Sequence, residues 1–153
     1  MARVYVETSF FSACVSTKTS QKIAGWRASS NEWWETRRID HELFVSGEVL
    51  IELSDPEYVN SERALKMLEG LTVVEITREI EQFAELLVSE RVMPGPSVSG
   101  DAVHVAVATI YHMDYILTWN VKHLANINKR THLAVICMRA GLVPPTIVTP
   151  DML

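Results

Sequence analysis

Cysteine is scarce in this chain, and the segments that mark secreted or membrane-spanning proteins are missing. The two cysteines among 153 residues, Cys14 and Cys137, lie in apolar surroundings and form no CxxC or CxxH pair. We expect reduced thiols rather than a disulfide or a zinc site. No 18 apolar residues run together, and the first residues lack the apolar core of a signal peptide. The sequence therefore predicts a cytoplasmic protein that does not cross a membrane.

Repeats, low-complexity segments and glycine-rich linkers are also absent, which predicts one domain over residues 1–153. Positive charge is in deficit, with 14 Lys and Arg against 19 Asp and Glu and a net charge of −5. Domains that bind nucleic acid non-specifically are usually basic, so either this chain binds none or its acids have a role that the net charge conceals. Neither GxGxxG nor GxxxxGK[ST] occurs, which disfavours a small nucleotide-binding protein.

Short apolar segments alternate with segments of helical periodicity. The apolar segments predict five strands, at 4–6, 43–46, 71–76, 115–118 and 146–149. The helical patterns cover 21–38, 48–53, 60–68, 80–87 and 98–108. This alternation favours an α/β fold with a central, mainly parallel five-stranded sheet and helices on both faces. The alternative is an α+β fold with one antiparallel edge strand.

Polar side chains follow the predicted strands where ligands bind in open α/β sheets. Glu7 follows the first strand, and the short helix after the second carries Glu48 and Glu52. Asp101 lies near the start of the helix before the fourth strand, and Asn120 follows that strand. Clustered carboxylates repel one another, and a hard divalent cation such as Mg²⁺ or Mn²⁺ removes that cost. The chemistry that such an ion supports is hydrolysis of a phosphodiester.

Each of these residues also has an ordinary structural interpretation. Glu7 could cap the turn after its strand, and Asp101 could be a first-turn acid favoured by the helix dipole. Glu48 and Glu52, four residues apart, could form a solvated acidic face. His104 could be a core histidine. Asn120 could be a helix N-cap, so only the joint placement of these residues points to a site.

Four stretches of the sequence together resemble PIN-domain proteins of the VapC-like toxin family. They are VYVETSF at 4–10, VSGEVLIEL at 45–53, DAVHVAVA at 101–108 and DYILTWNVKHL at 114–124. The resemblance implies a three-layer PIN fold and a metal-dependent ribonuclease that cleaves single-stranded RNA with Mg²⁺ or Mn²⁺. It also implies an antitoxin protein as partner and a homodimer, which would fit surplus aromatic surface at Trp26, Trp33 and Trp34.

Roles for individual residues follow from this resemblance. Glu7, Glu52 and Asp101 match the catalytic acids that hold the metal, and Asn120 matches a further catalytic position. The implied substrate contacts are Thr8, Ser9 and Lys122, and His123 is an additional candidate metal ligand.

Two positions depart from the usual family pattern. Glu7 stands where most members have Asp. A subgroup of the family resembles this chain in having Glu-Thr at this point. His123 stands where many members have Asp, and a neutral imidazole brings no negative charge. An alternative function is therefore a catalytically weak or inactive binding module that keeps the fold.

Overall fold

Five parallel strands form the centre of the fold in the computed structural model, which describes residues 1–153. The strands are β1 (Ala2–Val6), β2 (His41–Ser46), β3 (Thr72–Val74), β4 (Tyr115–Leu117) and β5 (Thr146–Val148). Their order across the sheet is β3-β2-β1-β4-β5, and every neighbouring pair is parallel. All five predicted strands are confirmed, and the alternative with an antiparallel edge is wrong.

Eight helices connect the strands. They are α1 (Thr8–Val15), α2 (Gln21–Thr36), α3 (Gly47–Leu53), α4 (Ser61–Met67), α5 (Arg78–Ser89), α6 (Asp101–Ile110), α7 (Val121–Leu124) and α8 (Ile127–Arg139). The five predicted helices are present, whereas α1, α7 and α8 were not predicted. Five of the eight residues of α1 are buried, and its polar side chains are only the small hydroxyls of Thr8, Ser9 and Ser12, so the sequence shows no charged face that would indicate a helix. Helix α8 has five polar residues after Ile127 and buries only three of its thirteen.

The direction of the chain places helices on both faces of the sheet. The strands advance from β1 to β3 on one side, and the chain then crosses back to place β4 on the other side of β1. Because parallel crossovers are right-handed, this reversal puts the β1–β3 connections and the β3–β4 connection on opposite faces. The covered strands are apolar, with Val4, Tyr5 and Val6 fully buried in β1.

The reversal also determines where a ligand can bind. Ligands of open α/β sheets bind beyond the carboxyl ends of the strands, where the order reverses, which here is between β1 and β4. These strands end in register, with Val6 opposite Leu117, and the N–H of Glu7 donates to the carbonyl of Leu117 at 3.0 Å. Glu7 therefore lies at the switch point of the sheet.

Two further features bear on the sequence predictions. No helix combines the length and the apolar character needed to span a bilayer. Trp33 is only 2% exposed and packs edge-on against Phe10 and parallel to His41, so it offers no surface to a second copy of the chain. Trp34, half-buried, packs against the same core.

Candidate active site

Glu7 is held at the end of β1 by three hydrogen bonds to one of its oxygens. Its Oε2 accepts from the N–H of Ser9 at 3.0 Å, the hydroxyl of Ser9 at 2.5 Å and the hydroxyl of Thr118 at 2.8 Å. Only 5% of Glu7 is exposed, and these donors compensate for the burial of its charge. The bond from the Ser9 N–H also caps α1. Oε1 has no hydrogen-bond partner in the protein, so Glu7 keeps one oxygen free.

Glu52, in the last turn of α3, is held in the same way. Its Oε1 accepts from the hydroxyl of Thr8 at 2.6 Å and from Nε2 of His104 at 2.5 Å. Burial alone would raise the pKa of Glu52, but the hydrogen bond and charge of His104 and the bond from Thr8 outweigh it and lower the pKa. Glu52 is therefore ionised, and its Oε2 has no partner in the protein.

His104 ends a buried chain of hydrogen bonds that begins at β2. Its Nδ1 lies 2.6 Å from the hydroxyl of Tyr5, and that hydroxyl lies 2.8 Å from Oγ of Ser46. None of these three residues is exposed. Because an ionised carboxylate only accepts, Nε2 of His104 carries the proton that it shares with Glu52. The chain thus fixes the imidazole, and the imidazole fixes Glu52.

The pKa values in this chain follow from burial and from three nearby carboxylates. Burial lowers the pKa of His104, but the bond to Glu52 and the charges of Glu7, Glu52 and Glu48 outweigh it and raise the pKa. Burial is the main cause that raises the pKa of Tyr5 well above its usual value, and the same carboxylates add to it. The Tyr5 hydroxyl therefore stays protonated, so it can donate one hydrogen bond in this chain and accept the other.

Glu48 was named among the acids at the strand ends but was given no catalytic or metal-binding role, yet it lies beside these groups. It is 5% exposed, so the interpretation of Glu48 and Glu52 as a solvated acidic face is wrong for Glu48. Burial and then the charge of Glu52 raise its pKa, and a bond from the N–H of Gly100 and the charge of His104 offset part of the rise. Its position one turn before Glu52 on α3 was the available sequence signal.

Asp101 and Asn120 form a separate pair beside this group. Asp101 begins α6, and its Oδ1 accepts from Nδ2 of Asn120 at 3.3 Å. The N–H of Asn120 donates to the hydroxyl of Thr118 at 2.9 Å, and its side chain makes no capping bond to α7. The groups that come within 4.8 Å of one another are Glu7, Glu52 and His104. The structure thus brings two of the three predicted acids together and places Asp101 outside that set.

The predicted substrate contacts and the fourth candidate ligand lie in two different settings. Thr8 and Ser9 donate their hydroxyl protons to Glu52 and Glu7, so each holds an acid in place. Lys122 and His123 are exposed on α7, and His123 is not part of the group of potential ligands. The histidine that joins the acids is His104, which the sequence indicated only as a core residue.

The two glutamates fit a hard divalent cation. Each has one oxygen held by the protein and one without a partner, and Mg²⁺ and Mn²⁺ prefer carboxylate oxygens. Nε2 of His104 is already bonded to Glu52, so the imidazole orients a ligand rather than serving as one. The charge of an ion would also relieve the repulsion among Glu7, Glu48 and Glu52.

Comparison with solved structures finds the same fold in toxin–antitoxin proteins. VapC20 of Mycobacterium tuberculosis, a toxin that cleaves the sarcin-ricin loop, is 18% identical; the match covers 80% of this chain and 93% of that one, with a TM-score of 0.59. A toxin–antitoxin complex from Klebsiella pneumoniae is 16% identical over 96% and 97% of the two chains, with a TM-score of 0.60. VapBC2 of Rickettsia felis, bound to a DNA fragment from its promoter, is 11% identical over 96% and 98%, with a TM-score of 0.57.

Sequence comparison adds no further match. No protein-family model matches the chain, and no curated protein is significantly similar to it. Because these sequence identities are all below 25%, the matches show a shared fold alone. This chain therefore has the α/β fold of a VapC-like PIN domain, as its sequence resemblance implied.

Proposed function

We propose that this protein is an Mg²⁺- or Mn²⁺-dependent endoribonuclease that cleaves single-stranded RNA and is the toxin of a toxin–antitoxin pair. The observation that carries the proposal is the convergence of Glu7 and Glu52 at the switch point of the sheet, each with one oxygen held and one free. Such a pair is suited to an ion that must keep positions open for water and phosphate. The fold shared with VapC20 and the other toxin structures supports the same assignment.

The residues of the chain divide into those that hold the ion and those that order its surroundings. Glu7 and Glu52 would hold the ion, with Asp101 as a further ligand. Asn120, which is already hydrogen-bonded to Asp101, would orient a water or a phosphate oxygen. When bound, the ion supplies activation of water and compensates for the negative charge of the scissile phosphate.

The proposed partners follow from the charge of the site and from the related structures. An antitoxin segment that presents Arg or Lys would neutralise the acidic cluster when it covers the site. The Klebsiella pneumoniae structure is itself a toxin–antitoxin complex. We propose that the pair acts in the cytoplasm and that the toxin forms a homodimer, for which light scattering after size-exclusion chromatography is the test.

Cleavage of single-stranded RNA in Mn²⁺ tests the proposed activity. Glu52→Gln and Asp101→Asn should each lower the cleavage rate on the order of 100-fold, because each removes a charged ligand. Glu62→Gln on α4 is the matched control, since Glu62 is exposed and makes no hydrogen bond or ion pair through its side chain. A Glu52→Gln variant as active as this control would contradict the assignment.

Calorimetric titration with Mn²⁺ distinguishes the nuclease from a binding module that has lost its chemistry. A nuclease should bind Mn²⁺ with an affinity that Glu52→Gln weakens, and Glu62→Gln should leave it unchanged. A wild-type protein that is folded but does not bind Mn²⁺ would favour the binding module.

A further inference from the structure

The acids share a cleft of about 520 Å³ with the start of α2. This volume lies in the range of ligand-binding pockets, roughly 300–1,000 Å³. Glu7, Thr8 and Glu52 line it together with Trp26 and Lys18. The remainder of the lining includes Ser12, Ser16, Ile23, Glu57, Tyr58 and Val59. A substrate bound at the acids would therefore lie in a cleft that Trp26 also lines.

Trp26 is the aromatic face of this cleft, and it is backed by a second tryptophan. The indoles of Trp26 and Trp119 are nearly parallel, with ring centres 4.9 Å apart and an angle of 11°. Nε1 of Trp119 donates to Oγ of buried Ser30 at 2.7 Å, which fixes that ring against α2. Stacking on Trp119 thus fixes the orientation of the Trp26 ring.

The backing residue is also tied to the acids. The N–H of Trp119 donates at 2.9 Å to Oγ of Ser9, the same hydroxyl that donates to Glu7. The preceding residue, Thr118, donates directly to Glu7. The position of the aromatic pair is therefore set relative to the acid by two short connections.

The other face of Trp26 carries one exposed cation. Nζ of Lys22 lies 4.8 Å from the ring centre, and since Trp119 covers one face, the ammonium lies over the other. Lys22 is exposed, and an exposed cation–π contact is weaker than stacking of a nucleobase on an aromatic ring. A base can displace the ammonium, which is then free to pair with a phosphate. Arg27 is not free in this way, because it donates to the carbonyls of Ser16 and Lys18.

We propose that Trp26, backed by Trp119, binds one unpaired base of a single-stranded RNA by stacking, and that Lys22 binds a phosphate beside that base. The proposal rests on the proposed ribonuclease function and adds a base-binding subsite to it. Stacking on an indole tolerates every base, so the subsite would favour unpaired nucleotides over duplex rather than one sequence.

An RNA base suits this site better than a protein segment does. The flat indole suits a base, and the exposed ammonium of Lys22 beside it suits the phosphate of the same nucleotide. An Arg of a protein segment would also stack on the indole, but the Lys22 ammonium that it displaces would then lie beside a like charge, whereas a base brings a phosphate that pairs with it.

Binding of two oligomers in Ca²⁺, added to limit cleavage, tests the subsite without relying on catalysis. One probe is a single-stranded RNA and the other is an abasic oligomer of the same length. Trp26→Ala should weaken RNA binding roughly 5- to 150-fold, the loss of one stacked base, and should change binding of the abasic oligomer less than about twofold. Trp26→Phe should recover most of the RNA affinity because it restores an aromatic face.

Trp26→Leu keeps apolar contact with Trp119 and serves if the alanine variant does not fold. It should bind RNA as weakly as Trp26→Ala. Equal loss for both oligomers would mean that Trp26 only supports the structure and would overturn the proposal. So would wild-type binding that does not depend on the bases, the result expected if the cleft receives a protein segment. If the wild type cleaves no RNA, the proposed function fails while the base dependence can still be measured.

The salt dependence of binding tests the role of Lys22. Lys22→Ala should reduce the slope of log affinity against log salt by about 0.7 for a single-stranded ligand. Lys66→Ala on α4 is the control, because Lys66 is exposed and, unlike Lys22, does not lie over the ring of Trp26. An identical slope for the two variants would remove Lys22 from the subsite.

Discussion

Replacing Tyr5 with phenylalanine removes a single oxygen from the centre of the site. That oxygen lies 2.8 Å from Oγ of Ser46 and 2.6 Å from Nδ1 of His104, and none of the three residues is exposed. The ring is otherwise unchanged, so the substitution opens almost no cavity. Each buried polar atom left without a partner costs about 1–3 kcal/mol, and the Ser46 hydroxyl can rotate to recover part of this. We therefore expect Tyr5→Phe to lower the free energy of unfolding by about 2–4 kcal/mol.

Urea unfolding at pH 7 in a chelator measures this loss, and Tyr115→Phe is the matched control. Tyr115 lies in the neighbouring strand β4, and its hydroxyl makes no hydrogen bond within the protein. The control should change stability by less than about 0.5 kcal/mol. A Tyr5→Phe protein within that margin of the wild type would refute the reasoning. The same variant should bind Mn²⁺ about 10-fold more weakly, because His104 would hold Glu52 less firmly.

Three further results are expected from the buried groups and the backbone. Glu48→Gln should raise the free energy of unfolding in a chelator, and the gain should grow from pH 4 to pH 7. The pKa of Glu48 is raised in the folded protein, so the wild type loses stability as that proton is lost. A difference between the two proteins that does not change with pH would contradict this. Gly100→Ala should lower the free energy of unfolding by about 1–3 kcal/mol, because φ at Gly100 is 75° and a side chain there is strained. Gly25→Ala, within helix α2, is the control, and equal stability of the two variants would contradict the prediction. Burial raises the pKa of Cys14 to about 12 and of Cys137 to about 11, so both thiols should react with a disulfide reagent only as the protein unfolds; rapid labelling of native protein would disagree.

The strands could be predicted from the sequence because parallel strands covered on both faces are apolar without interruption, as in Val4–Val6. The predicted ends were less accurate for the edge strand β3, which was predicted at 71–76 and covers Thr72–Val74. Its length depends on pairing with β2, where Val74 lies opposite Ser46, and no local pattern records that partner. The short helix α1 was missed because five of its eight residues are buried and it has no charged face.

The site was predictable to the extent that it follows from strand ends. Parallel strands bring their carboxyl ends to one edge, which is why Glu7 and the acids of α3 meet. The role of His104 could not be read in the same way, because its contact with Glu52 depends on how α6 packs against α3. The position of Asp101 depends on packing in the same way: its Oδ1 accepts from Asn120, and its role as a third metal ligand stays a prediction.

The loop after β4 makes the state of the acids visible to amide hydrogen exchange. The amides of Trp119 and Asn120 donate to the hydroxyls of Ser9 and Thr118 rather than to backbone carbonyls, and both hydroxyls in turn donate to Glu7. Protection at these two amides therefore depends on side chains that hold the acid and not on the ladder of the sheet. Whatever reorganises the environment of Glu7 should change their exchange rates, while the amides within β4 keep theirs.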